Sequence, residues 1–235
     1  MNQVTASLEM IRARIAEAEA RFDRAPGSVS LLAVSKTQPP EAVEAAAQAG
    51  QRAFGENHLQ DALIKLDALG GTDLEWHFIG PVQSNKTRVI AERFDWVHSV
   101  DRIRIAERLN AQRAPGSDPL NVCLQVNISG ETSKSGVLPD EVGALADAIA
   151  ELPNLRLRGV MAIPAPSVGF DAQREALHPL SEIYQRLRAD GHSLDTLSMG
   201  MTDDLEAAIA EGSTTVRIGT AIFGARRGKA RGLHT

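Results

Sequence analysis

The apolar positions of this chain follow two alternating rhythms. Near the start, Leu8, Ile11, Ile15, Ala18 and Phe22 recur at intervals of three and four. That spacing puts them on one face of a helix over roughly residues 3–24, which APGS ends. Beyond it, short β-type runs alternate with amphipathic runs. The strand candidates are VSLLAVS (29–35), RAFGE (52–56), EWHFIG (75–80), DWVHSV (95–100), NVCLQVNI (121–128), LRLRGVMAI (155–163), LDTLSMG (194–200) and TTVRIGTAIFG from 214. Helical candidates lie between them at about 39–49, 57–69, 83–93, 102–112, 139–151, 171–190 and 203–211. Pro139 suits the first turn of its helix. Thr202 reads as the N-cap of 203–211, with Asp203 and Asp204 in the first turn and Gly212 as the stop.

Strands alternating with helices pair in parallel through right-handed crossovers. Eight such units in 235 residues predict an α/β fold, a single (β/α)8 TIM barrel with an extra N-terminal helix. A doubly wound open sheet would favour a glycine-rich loop after its first strand, and AVSKTQPP is not one. The stretches 113–119 and 164–171 read as connections rather than linkers, so one domain spans 1–235.

In such barrels chemistry collects at the C-terminal strand ends. The first strand ends at Ser35-Lys36-Thr37. A lysine closing an apolar strand is either solvated or held by a partner that offsets its charge. The second strand ends at Gly55-Glu56-Asn57, the third carries His77, and the fifth ends at Asn127. After the seventh and eighth strands, Gly200 and Gly219 let backbone approach an anion, and Ser198, Thr202 and Thr220 offer hydroxyls. A phosphate subsite and a tight turn of small residues both fit there. Asp203 and Asp204 can instead occupy the helix end themselves. Arg217 alternates with Val216 and Ile218, so it points into the barrel and needs an acceptor. A lysine, a phosphate pocket and an arginine around one mouth describe pyridoxal phosphate (PLP) held as a Schiff base. They also fit a Schiff-base aldolase acting on a sugar phosphate.

A net charge of −5 and a pI near 5.7 argue against nucleic acid as a main partner. The basic run ARRGKARG reads as a solvated tail. The one cysteine, Cys123, sits in an apolar run and reads as a buried thiol in a reducing compartment. A charged N-terminal segment without an apolar core, and no run of eighteen apolar residues, predict a cytoplasmic chain with neither signal peptide nor membrane span. Six histidines without paired ligand spacing predict no metal site.

The motifs AVSKTQP, FGENHLQ, WHFIGPVQSNK, VNISGETSKSG, LRGVMAIPAP, LSMGMTDDLEAAI and GSTTVRIGTAIFGAR, in this order from about residue 30 to 227, resemble the pyridoxal phosphate homeostasis proteins. These are small PLP-binding barrels similar to the N-terminal barrel of alanine racemase. The resemblance implies PLP on Lys36 and Arg217 facing the pyridine nitrogen. It implies Ser198, Gly219 and Thr220 as phosphate ligands, with Gly200 and Thr202 in the same loops, and Asn57 and His77 near the cofactor. Thr202 stands where the family pattern has serine, and the hydroxyl is kept. The implied role is buffering or delivery of PLP in vitamin B6 and amino-acid homeostasis, with PLP-dependent apo-enzymes as acceptors. A barrel of this size with charged outer helices is expected to be a monomer.

A cation at the ring nitrogen disfavours ring protonation and makes the ring a poorer electron sink. Two-base racemisation also needs an acid/base on the opposite face. The one tyrosine, Tyr184, lies in a helical run as a surface or packing residue. A carrier without robust turnover is therefore expected. The alternative is a PLP-dependent amino-acid racemase of weak activity, with a histidine such as His77 as second base. Lys134 in TSKSG reads either as an exposed loop lysine or as a secondary amine that accepts or releases PLP.

Overall fold

Eight short strands close into a barrel in strict sequence order. The computed structural model describes residues 3–131 and 134–224. Its strands are β1 (Ser30–Val34), β2 (Ala53–Glu56), β3 (Glu75–Phe78), β4 (Trp96–Val100), β5 (Leu120–Gln125), β6 (Leu155–Met161), β7 (Thr196–Ser198) and β8 (Thr215–Ile218). Each is parallel to the next, and β8 pairs with β1 in the register Leu32 to Arg217. The helices are α1 (Gln3–Arg21), α2 (Pro40–Gln48), α3 (Leu59–Ala68), α4 (Thr87–Arg93), α5 (Ile103–Gln112), α6 (Val142–Ala150), α7 (Phe170–Ala189), α8 (Leu205–Ala210) and α9 (Thr220–Phe223). The TIM barrel with an added N-terminal helix is the predicted architecture. Parallel strands are covered on both faces, which is why they read as nearly continuous apolar runs.

Helix α1 buries the predicted stripe Leu8, Ile11, Ile15 and Ala18 and packs on α2, α8 and α9, across the seam where β8 meets β1. Arg14 fastens it by a double bond pattern to Glu206 (3.0 and 2.9 Å) and by 3.2 Å to the Thr202 carbonyl. Near its C-terminal end the buried Glu19 accepts the N–H groups of Gly27 (3.0 Å) and Val29 (2.8 Å), steering the chain into β1.

Several boundaries depart from the periodic reading. The helix expected at 203–211 begins at Leu205, and Thr202 does not cap it. Asp204 occupies the cap position, and its Oδ1 accepts the Met201 N–H at 2.6 Å, fixing 201–204 as a turn. Strand β7 is three residues long because the chain leaves the sheet at Gly200, where φ is +97° and a Cβ would lie 2.5 Å from Ala208 Cβ. Pro139 opens a 3-10 turn (Pro139–Glu141) ahead of α6. The helices expected from 57 and 83 start at Leu59 and Thr87. The basic run 225–232 lies outside the described residues. Among the described residues no helix is long and apolar enough to cross a membrane.

Candidate functional site at the C-terminal mouth

Lys36 stands just past the end of β1, in a tight turn. The Ser35 N–H donates to the Gly55 carbonyl (3.0 Å), and the Gln38 N–H returns to the Ser35 carbonyl (3.0 Å), so Lys36 and Thr37 form the turn's centre. Thr37 has φ +63°. A β-branched residue in the left-handed region is strained and persists where its surroundings over-determine it.

Those surroundings include a second lysine. Lys65, on α3, is only 2% exposed. Its Nζ donates to the Ser35 carbonyl (2.7 Å) and to Glu56 Oε1 (2.6 Å), and the Ser35 hydroxyl donates to the same oxygen (2.5 Å). Burial pushes the Glu56 carboxyl up, while Lys65 and Ser35 pull it back. The peptide leading into Lys36 is thus anchored to a buried ion pair between β2 and α3. Sequence reasoning missed Lys65, although Leu59, Ala62 and Leu66 put it beside the inward face of its helix. At the end of β2, Glu56 Oε2 and Asn57 Oδ1 are buried without a hydrogen-bond partner among the described residues. Gly80 presses on this strand end: a Cβ there would lie 2.1 Å from the Asn57 carbonyl oxygen.

Arg217 points inward, as the alternation along β8 predicts, and is 5% exposed. It donates to the Ser198 carbonyl (2.7 Å), the Ser198 hydroxyl (2.9 Å) and the Ala162 carbonyl (2.9 Å). These three bonds leave further guanidinium N–H capacity. Burial lowers its pKa to about 10, so it remains a cation near neutrality.

The Ser198 hydroxyl is committed to Arg217 and to His98 Nδ1 (3.0 Å), inside the barrel, rather than turned toward the loop that follows β7. The hydroxyl expected among the phosphate ligands is thus a partner of Arg217 in this structure. Gly219 lies against β1, where a Cβ would meet the Val34 carbonyl oxygen at 3.1 Å. Thr220 follows as the first residue of α9. Thr202 and Gly200 lie in the neighbouring turn, where Asp204 already takes the Met201 N–H. The loops after β7 and β8 thus follow the strand beside Arg217 and the strand that bears it, and β1 brings Lys36 alongside β8.

His77 departs from the expected place. It faces a cavity of about 280 Å³ at the opposite, N-terminal mouth, together with Ser30, Ala53, Glu75, His98 and Arg158. The register explains this: His77 pairs with Trp96, the first residue of β4, so it lies low in the barrel. Lys134 lies in the loop after β5, with its Nζ 2.8 Å from Glu131 and 3.4 Å from the Ser129 hydroxyl. Tyr184 is buried in α7 and donates to the Leu194 carbonyl (3.2 Å), a packing role. Cys123 is buried as expected, and burial pushes its thiol up.

The alanine racemase N-terminal domain profile matches residues 6–227. The chain is 58% identical over 226 residues to the pyridoxal phosphate homeostasis protein of Pseudomonas aeruginosa, covering 96% of this chain and 97% of that one. It is 54% identical over 229 residues to the protein of that name in Escherichia coli, covering 96% and 98%. The chain belongs to the pyridoxal phosphate homeostasis protein family. PipY of Synechococcus elongatus, solved with PLP bound, superposes with a TM-score of 0.78 at 37% identity, over 89% of this chain and all of PipY. The alanine racemase of Corynebacterium glutamicum shares the fold alone, with a TM-score of 0.73 at 16% identity.

His98, also missed from sequence, is expected to make the stability of this homeostasis-family barrel depend on pH. Burial, then the nearby His77 and Arg217, hold its imidazole well below the ordinary value of 6.5. It is neutral when folded, whereas the unfolded chain takes up a proton near pH 6.5. The unfolded state therefore binds more protons below that pH, and stability falls as pH drops through 6.5 toward the folded value. In urea unfolding across this range, the stability gap between native protein and His98→Asn is expected to shrink as pH falls. A gap independent of pH would refute a neutral His98.

Proposed function

We propose that this chain binds PLP at the C-terminal mouth as a Schiff base on Lys36, and buffers or delivers it to PLP-dependent apo-enzymes. One observation carries the reading. A lysine on a strained turn, fixed from below by the Lys65–Glu56 pair, stands on the strand adjacent to an inward arginine. The residues suit the group: Arg217 retains guanidinium N–H donors, and Asn57 Oδ1 at the end of β2 is a buried acceptor with no partner among the described residues. PLP supplies an aldehyde that an amine captures and a ring that withdraws electrons.

Lys36 provides the amine. Arg217 would face the ring nitrogen, where its charge would disfavour a proton. Gly200, Thr202, Gly219 and Thr220 hold the phosphate, with glycine at 219 permitting backbone approach. Asn57 would lie near the cofactor, and Ser198 would act through Arg217. No robust turnover is expected, because Tyr184 is spent on packing and His77, the alternative second base, is engaged at the far mouth.

Borohydride reduction of the PLP-loaded protein followed by peptide mapping tests the reading. A pyridoxyl adduct on the Lys36 peptide is expected. No adduct, or one spread over surface lysines, would refute it and leave a phosphate-binding barrel.

A further inference from the structure

The lowest layer of the barrel interior departs from the usual filling by bulky branched side chains. On the neighbouring strands β7, β8, β1 and β2, the residues lining the N-terminal mouth include Thr196, Thr215, Ser30 and Ala53. Their small volumes leave the cavity of about 280 Å³ there, at the small end of the range for ligand pockets. Leu32 and His98, 1% and 0% exposed, form its floor. A register shift in β4 between Val97 and Val100 accompanies the inward placement of His98, as bulges re-aim side chains. Both ring nitrogens of His98 are taken, by His77 Nδ1 at 2.9 Å and by the Ser198 hydroxyl at 3.0 Å. The floor therefore offers a ligand its shape and no free hydrogen bond.

The opposite wall is a stack. The His77 ring lies parallel to Trp96 with centroids 5.2 Å apart, and the Arg158 guanidinium sits 4.6 Å from the Trp96 centroid. The donors of this wall are turned on its own acceptors. Arg158 Nε lies 3.0 Å from both Asp195 oxygens, Nη2 lies 2.6 Å from Oδ2, and Nη1 lies 2.8 Å from Asn121 Oδ1. His77 Nε2 lies 2.5 Å from Glu75 Oε1, and the Trp96 indole bonds to the same carboxylate. Acceptor capacity is what remains. A carboxylate has about four acceptor positions, of which these donors fill two. The Glu75 side chain is 48% exposed at the rim. The bond from His77, foremost, holds it below the usual carboxylate range, so it is an anion near neutrality. Ser30 and Thr215, register partners on β1 and β8, add two hydroxyls to the same cavity.

We infer that the N-terminal mouth is a binding site for a small organic cation, distinct from the mouth that bears Lys36. The compact apolar body of such a ligand rests on Leu32 and His98. Its N–H groups meet the Glu75 carboxylate and the Ser30 and Thr215 hydroxyls. An anion fits less well, because the guanidinium lining the cavity is paired with Asp195 and the Glu75 charge repels it. A neutral molecule of the same shape gains the floor but not the charge-assisted bonds at the rim. The site goes beyond the PLP reading and stands whether or not Lys36 holds the cofactor.

Benzamidine, benzamide and benzoate share one shape and differ in charge, and benzamidine forms no Schiff base with an aldehyde. The test titrates each into the full chain, with and without PLP. The chain carries 5-fluorotryptophan at its two tryptophans, read by fluorine NMR, with Trp76→Phe assigning the lines. The Trp96 line is expected to move saturably with benzamidine, with a Kd of about 1 mM or lower. Benzamide and benzoate should bind at least about tenfold more weakly, and Glu75→Gln should weaken benzamidine by roughly tenfold. Ser30→Leu fills the space and should abolish the shift. No saturable shift, a shift of the Trp76 line alone, or benzamide binding as well as benzamidine overturns the site. So does native-like benzamidine binding in folded Glu75→Gln or Ser30→Leu. The comparison of the three probes uses the native chain, so it decides the matter even where a variant does not fold.

Discussion

Replacing Lys65 with methionine is expected to lower the unfolding free energy by about 3–5 kcal/mol. Methionine keeps much of the volume, so the loss comes from charge. Glu56 is fully buried, and Lys65 is its one cationic partner among the described residues. Without Lys65 the carboxylate is stranded unless it takes up a proton, which holds the effect toward the lower end of the range. The Ser35 carbonyl loses its 2.7 Å donor as well, so the turn bearing Lys36 loosens and PLP loading falls with stability. Lys65→Met combined with Glu56→Leu should recover part of the loss, because removing both members of a buried pair costs less than removing one. Denaturant midpoints of the single and double variants decide it. A single variant within about 1 kcal/mol of native would show that the pair is not a structural anchor.

Gly159→Ala should be at least as damaging. A Cβ at Gly159 would lie 1.6 Å from the Thr196 carbonyl oxygen. The obstacle is backbone of the neighbouring strand, which no rotamer change relieves. Overpacking a core typically costs about 1–3 kcal/mol, and a backbone clash exceeds that range. The consequence reaches the site. The register that pairs Gly159 with Thr196 also pairs Met161 with Ser198, and Ala162 and Ser198 provide the carbonyls that hold Arg217. The variant is expected to be largely insoluble, or to fold with a thermal midpoint many degrees lower and weak PLP binding. Native-like melting would mean that β6 and β7 can separate freely here.

Some of this architecture was plain in the residue pattern, for a physical reason. Barrel strands are covered on both sides, so Leu31 to Val34 or Val122 to Leu124 stand out as unbroken apolar runs. Lys36 and Arg217 stand out against such runs because a charge beside them needs an explanation. The hidden members reach the interior by routes without periodicity. Lys65 comes from a helix and meets Glu56 only through the fold. His98 depends on a register shift, and the position of His77 depends on which residue opposes it in β4. Thr202 looked like a cap because local spacing does not show that Asp204 would seize the Met201 N–H.

The pairing of β1 with β8 also bears on how the protein is made. Lys36 leaves the ribosome about 180 residues before Arg217. At roughly 5–20 residues per second, the amine emerges some 10–35 s ahead of the strand that completes its surroundings. A nascent chain lacking its last strand presents Lys36 without Arg217, the Gly219 loop or a closed sheet. On the proposed reading, capture of the aldehyde in its final geometry then belongs to a chain that has made its last strand, and products truncated before it are left with an ordinary amine at the end of an open sheet.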